Sequence, residues 1–237
     1  MKRNQSGFTL IEIAIVLVII GLLLGGVLKG QELINSAKVK NLATDFRNIP
    51  VFIYGYQDKF KSLPGDDATM GTTGTHLTNG AACAPGAKCV PGNGLIDGFW
   101  NDYDANSEAY LFWQHARLAG LTSGPIIVPA APALGDGYRP VNAAGGEIGI
   151  QSGTTVPANV PVYADAAQTL PIRGTYIICS PNILGKFAKQ LDIQLDDGNT
   201  AGGSMMAFRG VAVGSIAESN TSAAWDDAAI YTVCMGV

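Results

Sequence analysis

The most prominent pattern in the chain is a nearly continuous apolar run close to the N-terminus, from Phe8 to Leu28. Between Arg3 and Lys29 the only ionisable side chain is Glu12. An α-helix rises ~1.5 Å per residue, so a run of this length can cross the ~30 Å hydrocarbon core of a bilayer. The pattern therefore predicts a membrane-spanning helix over residues 8–28.

Two basic residues precede this run, and the more polar part of the chain follows it. Lys2 and Arg3 favour a cytoplasmic N-terminus, which places everything after Leu28 on the other side of the membrane. A secretory signal peptide is a weaker alternative, because its apolar region usually spans only ~7–15 residues and ends at a small-residue cleavage site. On hydropathy alone, a permanent single-pass anchor is the favoured interpretation.

A helical pattern continues beyond the apolar run, over residues 29–61. Apolar side chains recur there in alternating steps of four and three residues, which places them along one face of an α-helix. They are Leu42, Phe46, Ile49, Ile53, Tyr56 and Phe60. Pro64 and Gly65 end the pattern. We therefore expect one long N-terminal helix whose second half packs on a globular head.

Residues 62–237 predict an α+β head that contains an antiparallel sheet and loop-rich insertions. Capping signals predict two helices, one from Glu108 to Leu118 and one that begins at Ser180 and Pro181 and ends near Leu191. Strand patterns separated by turn residues occupy five further segments. These are Ile126–Val128, Gly146–Gln151, Val160–Tyr163, Ser204–Val213 and Ala228–Met235.

Glu12 is difficult to explain in a simple membrane anchor. A carboxylate about one turn into a spanning helix costs ~2.5–3.5 kcal/mol on insertion scales and usually marks a function. If the chain were cut after Gly7, Phe8 would carry a free amino group four residues before Glu12. The amine of a neighbouring chain would then neutralise the carboxylate inside a bundle of helices, so cleavage and Glu12 explain each other.

The segment from Gly7 to Glu12, Gly-Phe-Thr-Leu-Ile-Glu, closely resembles the processing site of type IV prepilins and type II secretion pseudopilins. A short basic leader ends in Gly, Phe follows it, and Glu lies five residues after the Gly. The resemblance implies a leader of residues 1–7, cleavage between Gly7 and Phe8, N-methylation of Phe8 and a role for Glu12 in assembly. It also implies the pilin-like fold, in which a long helix packs on an antiparallel sheet.

The resemblance implies a structural subunit of a type IV pilus or a type II secretion pseudopilus. The expected partners are prepilin peptidase, an inner-membrane assembly platform with its ATPase, and other pilin or pseudopilin subunits. The expected location is the inner membrane with the head in the periplasm, and then the filament, with the cell surface as an alternative final place. The competing function is a minor tip pilin whose loops, Gly71–Asn106 and Gly135–Pro161, bind a surface or a ligand.

The four cysteines favour disulfides over free thiols, because the head is expected in an oxidising compartment. Cys83 and Cys89 bracket a short loop, and Cys179 and Cys234 each end an apolar strand pattern. We therefore predict the bonds Cys83–Cys89 and Cys179–Cys234, although four cysteines allow three pairings. A metal site is the weaker alternative, because neither a Cys-x-x-Cys pair nor a nearby His accompanies them.

A cluster of oxygen-bearing side chains precedes the first head helix and resembles the start of a calcium loop. Its candidate ligands are Asp102, Asp104, Asn106 and Glu108. It departs from an EF-hand because Ser107 replaces the sixth-position Gly and Trp113 replaces the twelfth-position Glu. A solvated acidic loop is the simpler interpretation. The later segment from Asp196 to Asn199 reads mainly as a turn signal.

The sequence gives no support for catalysis or nucleic-acid binding. Catalytic signatures such as Gly-x-Ser-x-Gly, the P-loop and His-Glu-x-x-His do not occur, and the two histidines, His76 and His115, lie in unlike contexts. His115 is expected to be a packed or hydrogen-bonded core residue. A net charge of -4 gives no attraction for phosphate. We expect no enzyme, no nucleic-acid partner and, apart from the calcium candidate, no cofactor.

Overall fold

The computed structural model describes residues 9–72, 77, 79–153, 172–209 and 225–237. In the described residues the elements are α1 (Leu10–Phe60), α2 (Glu108–Leu118), β1 (Gly149–Ser152), β2 (Tyr176–Leu184), α3 (Gly185–Leu195), β3 (Met205–Phe208) and β4 (Ile230–Gly236). The chain divides into two compact units, Met1–Lys40 and Asn41–Val237, and α1 contributes residues to both. A long apolar N-terminal helix with an antiparallel sheet confirms the predicted α+β, pilin-like architecture.

In the first unit, residues 10–28 of α1 are apolar around the whole circumference of the helix, apart from Glu12. Every Leu, Ile and Val side chain from Leu10 to Leu28 is exposed in the single chain. By length and composition the helix is able to cross a membrane. The side chains of this apolar run are therefore not buried within the single chain, unlike most apolar side chains of α2 and α3.

In the second unit, the later part of α1 buries the stripe that its periodicity predicts. Five side chains are at most 2% exposed, and Phe60 at the helix end is half-buried. The five are Leu42, Phe46, Ile49, Ile53 and Tyr56. Tyr56 packs with Met70 and Ala119, and its hydroxyl donates a hydrogen bond to Asp67 Oδ2 at 2.8 Å. This confirms the amphipathic half of the predicted helix.

The four strands form one antiparallel sheet in the order β1-β2-β4-β3. β2 and β4 are the central pair, and Cys179 lies directly opposite Cys234 in their register. All residues of β1 and β3 are buried, so both faces of the sheet are covered. One face holds a core cluster that includes Trp100, Ile177 and Phe208 together with the two cysteines.

Two of the predicted elements are wrong. Ile126–Val128 is not a strand, and one side chain of α2 binds its backbone: Gln114 Nε2 donates to the carbonyl of Ile126 at 2.7 Å. The helix predicted from Ser180 begins instead at Gly185, since β2 continues along β4 as far as Leu184. A register shift between Ser180 and Ile183, with Asn182 at a φ of 65°, carries the strand past the apparent cap.

The other head elements agree with the predictions to within a few residues. α2 has the predicted bounds, and the strands predicted around residues 146–151 and 228–235 correspond to β1 and β4. β3 covers the first part of the segment predicted as Ser204–Val213, of which positions 210–213 lie outside the described residues. The strand predicted at Val160–Tyr163 lies wholly outside them.

Candidate assembly interface and head sites

The exposed apolar surface of α1, residues 10–28, is the first candidate site. Individual side chains are exposed to a degree that an apolar residue rarely shows in water, for example Leu10 at 93% and Leu22 at 74%. Burying one such side chain is worth ~1.5–3 kcal/mol. Only lipid or other apolar helices can cover a surface that surrounds the whole helix, so the region is suited to a membrane and to a helical bundle.

Glu12 is held at the start of α1 by a reciprocal capping box with Thr9. The backbone N–H and the hydroxyl of Thr9 donate to Glu12 Oε2 at 2.8 and 2.7 Å, and the N–H of Glu12 donates to Thr9 Oγ1 at 3.3 Å. The pattern Thr-x-x-Glu is a known signature of a helix N-terminus. Our sequence interpretation missed this pattern, which gives Glu12 a role within its own chain.

The other residues of the processing site, Gly7 and Phe8, lie outside the described residues. Cleavage between them and methylation of Phe8 therefore stay predictions. The described chain starts at Thr9, and α1 starts one residue later.

The cysteines of the head are joined as Cys83–Cys89 and Cys179–Cys234. The first bond closes a turn in which Gly86 and Cys89 exchange backbone hydrogen bonds of 2.8 and 3.2 Å, and it packs against Leu111 of α2. The second bond links β2 to β4, with the two Cα atoms 4.1 Å apart. Thus one bond fixes a surface loop and the other fixes the centre of the sheet.

The four calcium-ligand candidates all have partners within the protein. Asp102 Oδ1 pairs with Lys88 Nζ at 3.0 Å, and Asp104 Oδ1 accepts the N–H of Asn106 at 2.9 Å. The Asn106 side chain binds the backbone of Ala84 in both directions. The buried carboxylate of Glu108 accepts the backbone N–H groups of Val90 and Asp97. These contacts organise the loop, and a calcium ion at these residues stays a prediction.

Three buried carboxylates organise the long stretch between α1 and α2. Asp66 accepts the consecutive backbone N–H groups of Gly92, Asn93 and Gly94, and it lies close to Asp97 and Glu108. Burial raises the pKa of Glu108 to about 8, and the charges of Asp66 and Asp97 act in the same direction. Burial also raises the pKa of Asp66, against the lowering effect of its three backbone donors.

His115 holds the same region together from α2. Its Nδ1 accepts the N–H of Gly65 at 2.9 Å, so the proton of a neutral ring lies on Nε2, which donates to the carbonyl of Ala81 at 2.9 Å. The ring is fully buried and stacks at 6.3 Å from Tyr56. This confirms the expected role as a hydrogen-bonded core residue.

Comparison with known proteins gave one match, and it falls on the N-terminus. A family model described as the prokaryotic N-terminal methylation motif matches residues 2–28. Neither the curated proteins nor the solved structures gave a match. The match covers Lys2 and Arg3, the segment from Gly7 to Glu12 and the exposed apolar surface of α1.

Proposed function

Because the chain carries the prokaryotic N-terminal methylation motif, the signature of type IV prepilins and pseudopilins, we propose that it is a structural subunit of a type IV pilus or a type II secretion pseudopilus. The observation that carries the proposal is the match over residues 2–28, which coincides with the exposed apolar surface of α1. The function is mechanical: the helix anchors the subunit and then packs against copies of itself or related subunits.

The two environments of the helix follow from its surface. Before assembly, lipid covers the apolar side chains of residues 10–28, and in the filament neighbouring helices replace the lipid. Since lipid tails are as apolar as Leu, this transfer gains little hydrophobic energy. Specific polar contacts must therefore fix the register between subunits, and Glu12 is the polar group that the helix offers for this purpose.

The expected partners and location follow from the proposed role as a pilin or pseudopilin subunit. Prepilin peptidase removes residues 1–7 at the inner membrane, an assembly platform with its ATPase extracts the subunit, and the head enters the periplasm. The two disulfides of the head support an oxidising compartment.

In the filament, the Glu12 carboxylate pairs with the amine of Phe8 from an adjacent subunit. The capping box offers a competing explanation, in which Glu12 serves only to start its own helix. The two roles differ in what they require of the side chain. Capping needs an acceptor oxygen, which Gln also supplies, whereas pairing with a buried amine needs the negative charge.

The substitution Glu12→Gln separates these roles. We expect Glu12→Gln and Glu12→Val to reach the membrane at normal levels and to enter filaments poorly, because each neighbouring amine would be buried without a counter-charge. The measurement is the amount of subunit in sheared filaments relative to the membrane fraction. Thr9→Val is the matched control: it removes the hydroxyl of the capping box and keeps the charge, so it should assemble. If Glu12→Gln assembles as well as the wild type, charge pairing is not its function.

Processing is tested on the same preparations. Mass spectrometry of wild-type subunits should give a chain that begins at a methylated Phe8, whereas a bulkier residue at Gly7 should leave the leader attached, because the peptidase must accommodate an extended backbone without a side chain at the cut. Normal processing of a Gly7→Leu variant would exclude this cleavage site.

The alternative is a minor subunit at the filament tip, with a head that binds a surface or a ligand. Abundance distinguishes the two functions. A shaft subunit dominates sheared filaments, whereas a tip subunit is present at a few copies per filament.

A further inference from the structure

A second acidic cluster lies at the C-terminal end of α3, far in sequence from the calcium candidates discussed above. Asp192 belongs to the last turn of the helix, Asp196 is its C-cap residue, and Asp197 follows. One carboxylate oxygen from each residue lies within 4.8 Å of the others. The sequence alone reads the last two residues as a turn and gives no reason to associate Asp192 with them.

Asp192 is the unusual member of the cluster. The residue is 1% exposed, and its Oδ1 accepts the backbone N–H of Gly198 at 2.7 Å. Its Oδ2 is also buried, yet it has no hydrogen-bond partner among the described residues. A buried carboxylate oxygen without a partner is costly, and buried charges are normally paired or bind a metal ion. The unpaired oxygen is an observation independent of the acidic composition of the turn.

The backbone already orients the other two carboxylates. Asp196 Oδ2 accepts the N–H groups of Ser204 and Met205 at 2.7 and 2.9 Å, so it ties the end of α3 to the start of β3. Asp197 Oδ1 accepts the N–H of Asn199 at 2.8 Å. The cluster is therefore built by the fold and does not consist of free surface side chains.

The carboxylates lie at the end of α3 that has no basic residue in its last turn. Lys189 forms an ion pair with Asp227 at 3.2 Å. The carbonyl groups at a helix C-terminus add partial negative charge at the same place. Consistent with this, burial raises the pKa of Asp192 to about 6, and the charges of Asp196 and Asp197 contribute in the same direction.

We propose that Asp192, Asp196 and Asp197 form a calcium site that secures the turn between α3 and β3. All three ligands are oxygens, which selects hard cations over zinc or copper. Two oxygens bound to one Ca²⁺ at ~2.3–2.6 Å are at most about 5 Å apart, which agrees with the spacing of the three carboxylates. Water and backbone carbonyls complete such a site in other proteins. Because β3 is an edge strand of the sheet, the ion would stabilise the border of the head.

The test is calcium binding by the full-length chain in detergent micelles, measured by equilibrium dialysis after removal of bound metal. We expect the wild type to bind Ca²⁺ at this site, and Asp192→Asn and Asp197→Asn each to weaken that binding about tenfold or more, since ligand charge sets the affinity. Asp197 is exposed, so its variant should fold normally even if Asp192→Asn does not. Asp58→Asn, at a 93% exposed carboxylate on α1, is the matched control and should bind as the wild type does.

Four results would overturn the proposal. The first is a wild type that binds no Ca²⁺ at millimolar concentration. The second is undiminished binding by the folded Asp197→Asn variant. The third is binding that Asp104→Asn abolishes while Asp197→Asn leaves it intact, which would assign the ion to the earlier acidic loop. The fourth is equal binding of Mg²⁺, which would refute the choice of calcium.

Discussion

Removing the disulfide between β2 and β4 should destabilise the head more than removing the one in the surface loop. The perturbation is a pair of double variants, Cys179→Ala/Cys234→Ala and Cys83→Ala/Cys89→Ala, each of which leaves the other bond intact. Both bonds lie among buried side chains, and none of the four cysteines is more than 7% exposed. The two variants are therefore comparable in burial and differ mainly in the length of chain that each bond closes.

The expected magnitudes follow from those lengths. The sheet bond spans a sequence separation of 55, and the loop bond spans 6. In the chain-entropy model, a disulfide stabilises by restricting the unfolded chain, by ~4 kcal/mol for the longer closure and ~2 kcal/mol for the shorter one at 25 °C. Each double variant also removes two sulfurs from a core cluster, which contains Trp100 and Phe208 for the sheet bond and Leu111 for the loop bond, so the packing losses are similar in kind.

The assay is equilibrium unfolding in urea, followed by tryptophan fluorescence, with the full-length chain in detergent micelles. All three tryptophans, Trp100, Trp113 and Trp225, belong to the head, so the signal reports head unfolding and not the state of residues 10–28. The free energy of unfolding is extrapolated to water from the linear dependence on urea. Reduction of the wild type should remove both contributions together.

Equal losses of stability in the two double variants would refute the reasoning, as would a larger loss for Cys83→Ala/Cys89→Ala. The first result would mean that the unfolded chain keeps residual structure between residues 179 and 234, so that the bond restricts it less than the model assumes. The second would mean that native packing of the short loop outweighs chain entropy.

Three further predictions use the same assay. Burial raises the pKa of Glu108 to about 8, so the folded state keeps a proton that the unfolded state loses near pH 4.5. The free energy of unfolding of the head should therefore fall as the pH rises from 4.5 to about 8. Glu108→Gln should make this free energy depend less on pH. Arg139→Met leaves Glu147 buried without its 3.0 Å ion pair and should lower the free energy of unfolding by ~3–5 kcal/mol. The double variant Arg139→Met/Glu147→Met should recover much of this loss. Gly65→Ala should destabilise the head more than Gly94→Ala: both have positive φ, but only at Gly65 would a Cβ meet backbone, 2.5 Å from the carbonyl oxygen of Glu108.

Most of the helical and strand structure was predictable, because it depends on local periodicity. The buried stripe of α1 from Leu42 to Tyr56 follows from the 3.6-residue repeat, and the bounds of α2 follow from the apolar spacing that ends before Gly120. The partnership of Cys179 with Cys234 followed from two strand patterns of similar length. In each case the information lies within a few residues of the element concerned.

The failures arose where distant residues decide the backbone conformation. Ser180 and Pro181 look like a helix cap, but β4 offers hydrogen-bond partners that extend β2 to Leu184. Ile126 reads as part of a strand, but the amide of Gln114 binds its carbonyl. A local propensity of a few tenths of a kcal/mol yields to tertiary hydrogen bonds that satisfy buried backbone groups.

The sequence by itself determined the long apolar helix, the N-terminal methylation motif and the α+β class of this protein, because hydropathy and short motifs are properties of adjacent residues. Only the tertiary structure decided which carboxylates meet. Asp66 accepts the backbone N–H groups of residues 92–94. Asp192 lies beside Asp196 and Asp197 with one buried oxygen that has no hydrogen-bond partner in the described part of the chain. In the sequence, an acidic residue is most simply interpreted as a solvated surface residue. Its charge costs free energy, or can bind a partner, only when packing removes the water around it.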